Sequence, residues 1–219
     1  MLVKDYMTRH PLMIEPDMPI FEVQRYMMEN DVRHLPVIGD GKRLLGLVTR
    51  QKLLMDPSRL GSLDVWEIVR SLSGLTTENV MVKARDVITI NQDATIEKAA
   101  RVMVENKIGC LPVLEEGVVI GLITEQDLLA QLSEMMAAQA PVPNTRITIR
   151  MPNVPGELAK LVGTIAAQGW GILTCGGALC PKDTGKWDAV VKLSFVEADA
   201  AVKVLEQIEG HEIIDVRPG

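Results

Sequence analysis

Two related seven-residue segments carry the residue types that a phosphate or a sugar would need. Gly121-Leu122-Ile123-Thr124-Glu125-Gln126-Asp127 reads as a strand end followed by a helix start, with a small residue that lets another group approach the backbone. The free N–H groups of a helix start attract phosphate. A carboxylate one turn into the helix can accept both hydroxyls of a ribose. The same residues have a plainer reading, with Thr124 as N-cap and an acid at the third helical position forming a capping box. The second segment, Gly46-Leu47-Val48-Thr49-Arg50-Gln51-Lys52, has Lys52 in the place of Asp127. Lysine offers no acceptor to a sugar hydroxyl.

These segments must be positioned by something, and the chain supplies it by writing one pattern twice. Ile20…Met27-Met28-Glu29-Asn30…Leu35-Pro36-Val37…Gly46-Leu47-Val48-Thr49 returns as Ile96…Met103-Val104-Glu105-Asn106…Leu111-Pro112-Val113…Gly121-Leu122-Ile123-Thr124. The offset is 76 residues from Ile20 to Ile96 and 75 from Gly46 to Gly121, so one small length change separates two copies of a single folding unit. Two packed copies imply an approximate twofold axis with a pair of similar clefts, and clefts are where small ligands bind. By homologous position Arg33, His34, Arg50 and Lys52 form a basic set that could hold phosphates. The counterparts of Arg33 and His34 are Gly109 and Cys110, small and uncharged.

Each copy reads strand, helix, strand, strand, helix. In the first, Leu12 to Ile14 is a short apolar segment, and Ile20, Val23, Met27 and Met28 recur at helical spacing. His34 to Ile38 and Leu44 to Val48 read as strands joined by a Gly39-Asp40-Gly41-Lys42 turn. Glu115-Glu116-Gly117 is the matching turn of the second copy. Asp56 to Gly61 breaks the chain between copies, and Ser62 could cap a short linker helix through Leu72, anchored by Trp66. The expected boundaries are 1–56 for the first copy, 57–76 for the linker helix and 77–136 for the second copy. Met27-Met28 and Met135-Met136 read as adaptable packing or interface.

Pro141 and Pro143 end the last helix of the second copy, and a new domain is expected over 144–219. Thr145 to Met151 alternates as a strand. Pro155-Gly156 opens a helix with Leu158, Leu161, Val162 and Ile165, closed by Gly169. Gly171 to Leu179 and Trp187 to Val196 read as paired strands around an Asp183-Thr184-Gly185-Lys186 turn. A helix over Asp199 to Ile208 and a strand over Glu212 to Val216 complete a βαββαβ order, the split βαβ pattern.

The bulk numbers narrow the function classes. With 219 residues, 47% hydrophobic and 24% charged, the chain can build a sizeable core. A net charge of −6 argues against a nucleic-acid partner, which needs a basic surface. Cys110, Cys175 and Cys180 are 3 in number, an odd and sparse set that reads as thiols in a reducing compartment. With no CxxC and 3 scattered His, no metal site is expected. No apolar run is long enough for a membrane span, and a soluble cytoplasmic protein is the expectation. There is no nucleophile–base set, P-loop, GxGxxG or HExxH, so an enzyme is not expected.

Asn30-Asp31-Val32-Arg33-His34-Leu35-Pro36-Val37 and its second copy, the two Gly-apolar-apolar-Thr segments, and Tyr6-Met7-Thr8-Arg9-His10-Pro11 together resemble a tandem pair of CBS domains, a Bateman module. The loop Asn153-Val154-Pro155-Gly156-Glu157-Leu158 resembles the strand-to-helix turn of ACT domains. A CBS pair followed by an ACT domain is similar to the acetoin-utilisation accessory proteins of bacteria. The fold so implied is α+β (mixed α/β): a CBS pair with pseudo-twofold symmetry and a ferredoxin-like βαββαβ ACT domain.

The resemblance implies a regulatory protein that binds an adenosine-containing ligand between the copies, with AMP, ADP, ATP or S-adenosylmethionine as regulatory ligand and no required cofactor. It assigns the ribose to Asp127 and a polar contact near sugar or phosphate to Thr124. Two unequal clefts are expected. One has Thr124 and Asp127. The other is basic, with Arg33, His34, Thr49 and Lys52, although Arg33 and Lys52 read equally well as solvated surface charges. Gly109 and Cys110 complete the candidate set. In the ACT loop, Asn153 could bind an amino acid or simply cap the loop, while Pro155 sets the first helical turn and Gly156 admits a ligand or partner chain. Gly169 to Thr174 lacks the Asn often found there in amino-acid-binding ACT domains. The partners so implied are a small-molecule nucleotide, a second copy in a homodimer or higher oligomer, and an unidentified regulated enzyme, with no nucleic acid and no membrane. The competing reading is a ligand-free oligomerisation scaffold or accessory subunit.

Overall fold

The computed structural model describes residues 1–53 and 74–218. The expected break at Asp56 to Gly61 and the linker helix from Ser62 to Leu72, with Trp66, lie outside the described residues. Contacts divide the chain into two units, Met1–Leu129 and Ala130–Gly219.

Numbered among the described elements, the first unit contains α1 (Val3–Tyr6), β1 (Thr8–Arg9), α2 (Ile20–Glu29), β2 (His34–Ile38), β3 (Leu44–Thr49) and α3 (Arg50–Leu53). The second copy follows with α4 (Thr77–Val80), β4 (Val82–Lys83), α5 (Ile96–Asn106), β5 (Cys110–Glu115), β6 (Val118–Thr124) and α6 (Glu125–Met135), whose last turns pass into the second unit. The helices follow the apolar spacing. Ile20, Val23 and Met27 are buried on α2, and Ile96, Ala99 and Met103 on α5. Each helix ends in the same way. Asn30 and Asn106 each donate from Nδ2 to the carbonyl four residues back at 2.8 Å. Asp31 and Lys107 then turn left-handed, at φ 48° and 54°. The next N–H, of Val32 or Ile108, closes back on Met27 or Met103 at 3.0 Å, a Schellman-type ending.

The sheets show how the copies interlock. They are ordered β1-β6-β5 and β2-β3-β4, so each copy's opening strand completes the other copy's sheet. Thr8 and Arg9 pair with Leu122 and Gly121, and Lys83 and Val82 pair with Gly46 and Leu47. The flanking backbone follows suit. Val3 and Lys4 donate to Ala94 and Gln92 at 2.8 and 2.9 Å, while Thr77 and Glu78 donate to Met18 and Pro16 at 2.9 and 2.8 Å. The cores are accordingly mixed. Val3 and Met7 are buried with Leu111, Val113 and Ile123, and Leu75, Val80 and Met81 pack on Leu35, Val37 and Val48.

Two sequence features acquire a reason here. Pro36 and Pro112 sit in strands because their outer side faces only an isolated parallel bridge. Their carbonyls accept from Ile14 and Ile90 at 3.0 Å, and the missing N–H leaves no ladder bond unmade. Gly46 and Gly121 are small for a different purpose from the one expected. A Cβ on Gly46 would lie 2.5 Å from Val82 O and 2.6 Å from Met81 Sδ, and one on Gly121 would run into Met7 Sδ. These glycines seat the methionines of the exchanged strands rather than a ligand.

The second unit contains β7 (Asn144–Pro152), α7 (Glu157–Ala167), β8 (Gly171–Cys180), β9 (Asp183–Ser194), α8 (Ala198–Leu205) and β10 (Glu212–Pro218). Its sheet is antiparallel in the order β10-β7-β9-β8, the split βαβ arrangement. β7 alternates strictly. Thr145, Ile147, Ile149 and Met151 are buried, and the first apolar layer of both helices, Leu161, Ile165, Ala201 and Leu205, joins three of them in one core. The opposite face carries Arg150 and Asp188, paired across the β7–β9 register at 2.7 and 2.9 Å. The expected turn at Asp183 to Lys186 is strand instead. The hairpin closes on Pro181 and Lys182, because Cys180 already pairs with Asp183 and Lys186 pairs with Pro152.

Candidate functional site

One cleft of the first unit is built from matching parts of the two copies. At the start of each second strand the backbone ties down the following helix: Arg50 N donates to Arg33 O at 2.8 Å, and Glu125 N to Gly109 O at 2.9 Å. The twofold therefore relates Arg33 to Gly109, His34 to Cys110 and Arg50 to Glu125. One copy brings two guanidiniums where the other brings a bare backbone and a carboxylate. The absence of a side chain on Gly109 matters, since a Cβ there would come within 3.3 Å of the Glu125 carboxyl carbon.

These residues line a cavity of about 420 Å³, within the range of small-molecule sites. Its apolar wall includes Leu47, Val82, Val87, Ile88 and Ile108. Its cations are Arg33, Arg50, Lys52 and Lys107, all exposed, and its carboxylates are Asp86 and Glu125. Lys107 is placed at the rim by its left-handed backbone, φ 54°. Burial pushes the His34 imidazole below its ordinary range. Glu125 opposes that shift and Arg33 adds to it. Burial, with Glu125 nearby, raises the Cys110 thiol to about 12, so it is no nucleophile at neutral pH.

Of the expected site residues, the cavity brings together Arg33, His34, Thr49, Lys52, Gly109 and Cys110. The basic set and its small counterparts thus line this cavity together, and Gly109 also lines a second cavity, of about 430 Å³, with Lys107, Ile108, Glu125 and Leu128. Thr124 and Asp127 are outside its lining. They form a reciprocal cap: Thr124 N and Oγ1 both donate to Asp127 Oδ2 at 2.8 Å, and Asp127 N donates to Thr124 Oγ1 at 3.3 Å. In the first copy Lys52 N donates to Thr49 Oγ1 at 3.3 Å, which keeps half of that cap. Sequence reasoning missed Lys107, Glu125 and Asp86 in the cavity. Glu125 could have been found, because it occupies the place of Arg50. Asp86 ends a one-turn 3-10 helix, Ala84–Asp86, that has no counterpart in the repeated pattern.

In the second unit a smaller cavity of about 160 Å³ is lined by Asn153, Val154, Glu157, Leu158 and Trp187, among others. Val154-Pro155-Gly156-Glu157 makes a type II turn, closed by Glu157 N to Val154 O at 3.5 Å, with Gly156 at φ 98°. Gly156 is the N-cap and the helix begins at Glu157, so Pro155 sets the turn and not the helix. Asn153 is no cap either. Its N–H donates to Gly185 O at 2.8 Å and its side chain to Thr184 O at 3.4 Å, which ties the loop to β9. Glu157 is buried, accepts from Lys160 Nζ at 2.6 Å and lies 2.9 Å from Nε2 of the fully buried His211 imidazole.

Among the described residues no group of three or more His, Cys, Asp or Glu could hold a metal ion. No described helix is long and apolar enough to cross a membrane.

The CBS-domain family model matches residues 3–57 and 78–134. An uncharacterised protein of Methanocaldococcus jannaschii is 36% identical over 132 residues, covering 58% of this chain and 46% of that protein. A homoserine O-acetyltransferase of Methanocorpusculum labreanum is 30% identical over 137 residues, covering 62% of this chain and 25% of that protein. The chain spans about half or less of the length of these curated relatives. Among solved structures, a Vibrio cholerae protein assigned to acetoin utilisation matches with TM-score 0.52 and 29% identity, covering 64% of this chain and 98% of that one. The Arabidopsis thaliana CBS-pair protein CBSX2, solved in complex with AMP, matches with TM-score 0.51 and 25% identity, covering 61% of this chain and 96% of that one.

Proposed function

Because the chain belongs to the CBS-domain family, we propose that it is a regulatory protein that senses an adenosine-containing ligand in the cleft between its two copies. The observation that carries this reading is the composition of the 420 Å³ cavity: an apolar wall, four cations and two carboxylates in one enclosure. A purine ring would pack on Leu47, Val82, Val87 and Ile108. A phosphate would take charge-assisted hydrogen bonds from Arg33, Arg50, Lys52 or Lys107. A ribose diol needs acceptors, and Glu125 and Asp86 supply them on the two sides. The cap leaves Asp127 Oδ1 and one acceptor lone pair of Thr124 Oγ1 over, and Thr124 and Asp127 could take part through these.

The AMP complex of the Arabidopsis relative supports AMP as the first ligand to try. The βαββαβ order and the Asn153 to Leu158 loop support reading the second unit as an ACT domain, for effector binding through Asn153, Pro155 and Gly156 or for dimerisation. A place in acetoin metabolism rests on the likeness to the Vibrio protein. The scaffold reading draws support from the large apolar side chains exposed on α2 and α5, Phe21, Met28 and Val104.

Thermal melting with AMP, ADP, ATP, S-adenosylmethionine and NAD separates the two, since a ligand that prefers the native state raises Tm. The sensing reading expects at least one phosphorylated nucleotide to do so. Arg33→Ala should then weaken that nucleotide by about 10- to 100-fold, the worth of one charge-assisted hydrogen bond. A panel without any shift leaves the scaffold.

A further inference from the structure

Resting on the reading of this cleft as a nucleotide site, we propose that His34 makes it selective for phosphorylated ligands by taking up a proton when a phosphate enters. The placement of His34 carries the idea. It opens β2, is half-buried, and lines the cavity at the junction of the two copies, with its backbone in register with Thr49 on β3.

The charged groups around the same cavity can be named element by element. The turn before β2 gives Arg33. The β3–α3 segment gives Arg50 and Lys52. The turn after β4 gives Asp86, and the turn after α5 gives Lys107. β5 gives the Cys110 thiol, which stays protonated, and α6 gives Glu125. The fixed charges are thus four cations against two carboxylates. Burial, and with it Arg33, favours the neutral imidazole, while Glu125 alone among its named neighbours favours the cation.

A phosphate ester reverses that balance. It brings a charge of about −1.5 to −2 near neutral pH and favours the imidazolium. The ligand-bound state then binds more protons than the free state. By linkage, affinity rises as pH falls through the window between the free and bound midpoints of His34. An unphosphorylated adenosine brings no such charge and does not shift the imidazole toward its cation. Cys110, at the twofold-related position, stays neutral and cannot respond in the same way, so the device belongs to one side of the cleft.

The test is a proton NMR titration of the imidazole C–H resonances of the full chain, alone, with AMP and with adenosine. The chain has 3 His; His10 and His211 are outside the cavity lining and act as internal references. His34→Gln identifies the His34 signals. With saturating AMP the His34 midpoint should move up by roughly one to three pH units, while adenosine leaves it in place. If AMP titrates the cleft resonances but the His34 midpoint stays where it was, the proton linkage is wrong and the nucleotide site stands. If AMP perturbs no cleft resonance and gives no binding heat, the site reading falls and the linkage with it.

Discussion

Replacing Gly46 and Gly121 by alanine tests the strand exchange on which the cleft is built. An alanine Cβ at 46 would lie 2.5 Å from the Val82 carbonyl oxygen and 2.6 Å from Met81 Sδ. The first of these is backbone and cannot rotate away. β4 would have to shift bodily, and it is held by only two register pairs, Gly46 with Lys83 and Leu47 with Val82. Overpacking of this kind costs about 1–3 kcal/mol. For a chain of this size that lowers Tm by roughly 2–12 °C. At 121 the three nearest atoms all belong to the Met7 side chain, with Cγ and Cε at 3.1 and 3.2 Å. A flexible thioether can yield, so Gly121→Ala should cost less than Gly46→Ala.

Double variants make the argument sharper. Met7→Ala removes the obstructing side-chain atoms, so Gly121→Ala should be nearly neutral in that background, a coupling of about 0.5–2 kcal/mol. Met81→Ala leaves the Val82 carbonyl in place, so Gly46→Ala should stay costly there. Denaturant unfolding of the four single variants and two doubles supplies the values. Equal, negligible effects at both glycines, or no coupling between 7 and 121, would sink the exchanged-strand account.

Three further outcomes follow from the site geometry. Asp127→Ala removes both acceptor bonds of the Thr124 cap and should cost about 0.5–2 kcal/mol while leaving AMP affinity in the described cavity unchanged; calorimetry showing a large loss would return the ribose to Asp127. Cys110, raised to about 12, is thiolate in roughly one molecule in ten thousand at pH 8; iodoacetamide should leave it intact in the native protein and label it after denaturation, as read by mass spectrometry. Lys160 first, then His211, hold the Glu157 carboxyl below its ordinary value of 4.5; its stabilising contribution is complete above that value and is lost as pH falls through its lower folded value, so wild type should lose more Tm between pH 5 and 3 than Glu157→Gln.

How far the sequence carried the fold depends on the length of each signal. Ile20, Val23 and Met27, and then Ile96, Ala99 and Met103, repeat over a full helix, and the strict alternation of β7 is equally plain. β1 and β4 are two residues long. A segment that short has no period, and its partner is fixed by distant backbone, so the exchange between copies was not legible. The same holds for Gly46 and Gly121. Their smallness was visible, but its cause, a methionine arriving from the other copy, was not. At the site, homologous position did gather Arg33, His34, Arg50 and Lys52. What it could not show is that Gly109, Cys110 and Glu125 face the same cavity, because a twofold brings unlike residues together across its axis while a sequence alignment only stacks like ones. The Asp183 to Lys186 segment misled for a local reason. Its Asp-Thr-Gly composition is that of a turn, and Asp183 Oδ1 does accept from Gly185 N at 3.0 Å, yet pairing with β7 and β8 outweighs it.

That unlikeness across the axis is what would let the cleft act as a sensor. Occupancy changes a protein only if the ligand has unequal affinity for two arrangements. In an identical pair of half-sites, opening and closing would move like groups symmetrically. Here Arg33 and Arg50 belong to one copy and Glu125 to the other, while the segment bearing Val82, Val87 and Asp86 is second-copy chain hydrogen-bonded to first-copy β3. An anion that draws in the cations from both Arg33 and Lys107 has to bring the two copies together. A neutral nucleoside resting on the apolar wall does not. The charge of the ligand, more than its base, would then decide which packing of the copies is favoured, and the exchanged strands would carry that preference directly into both sheets.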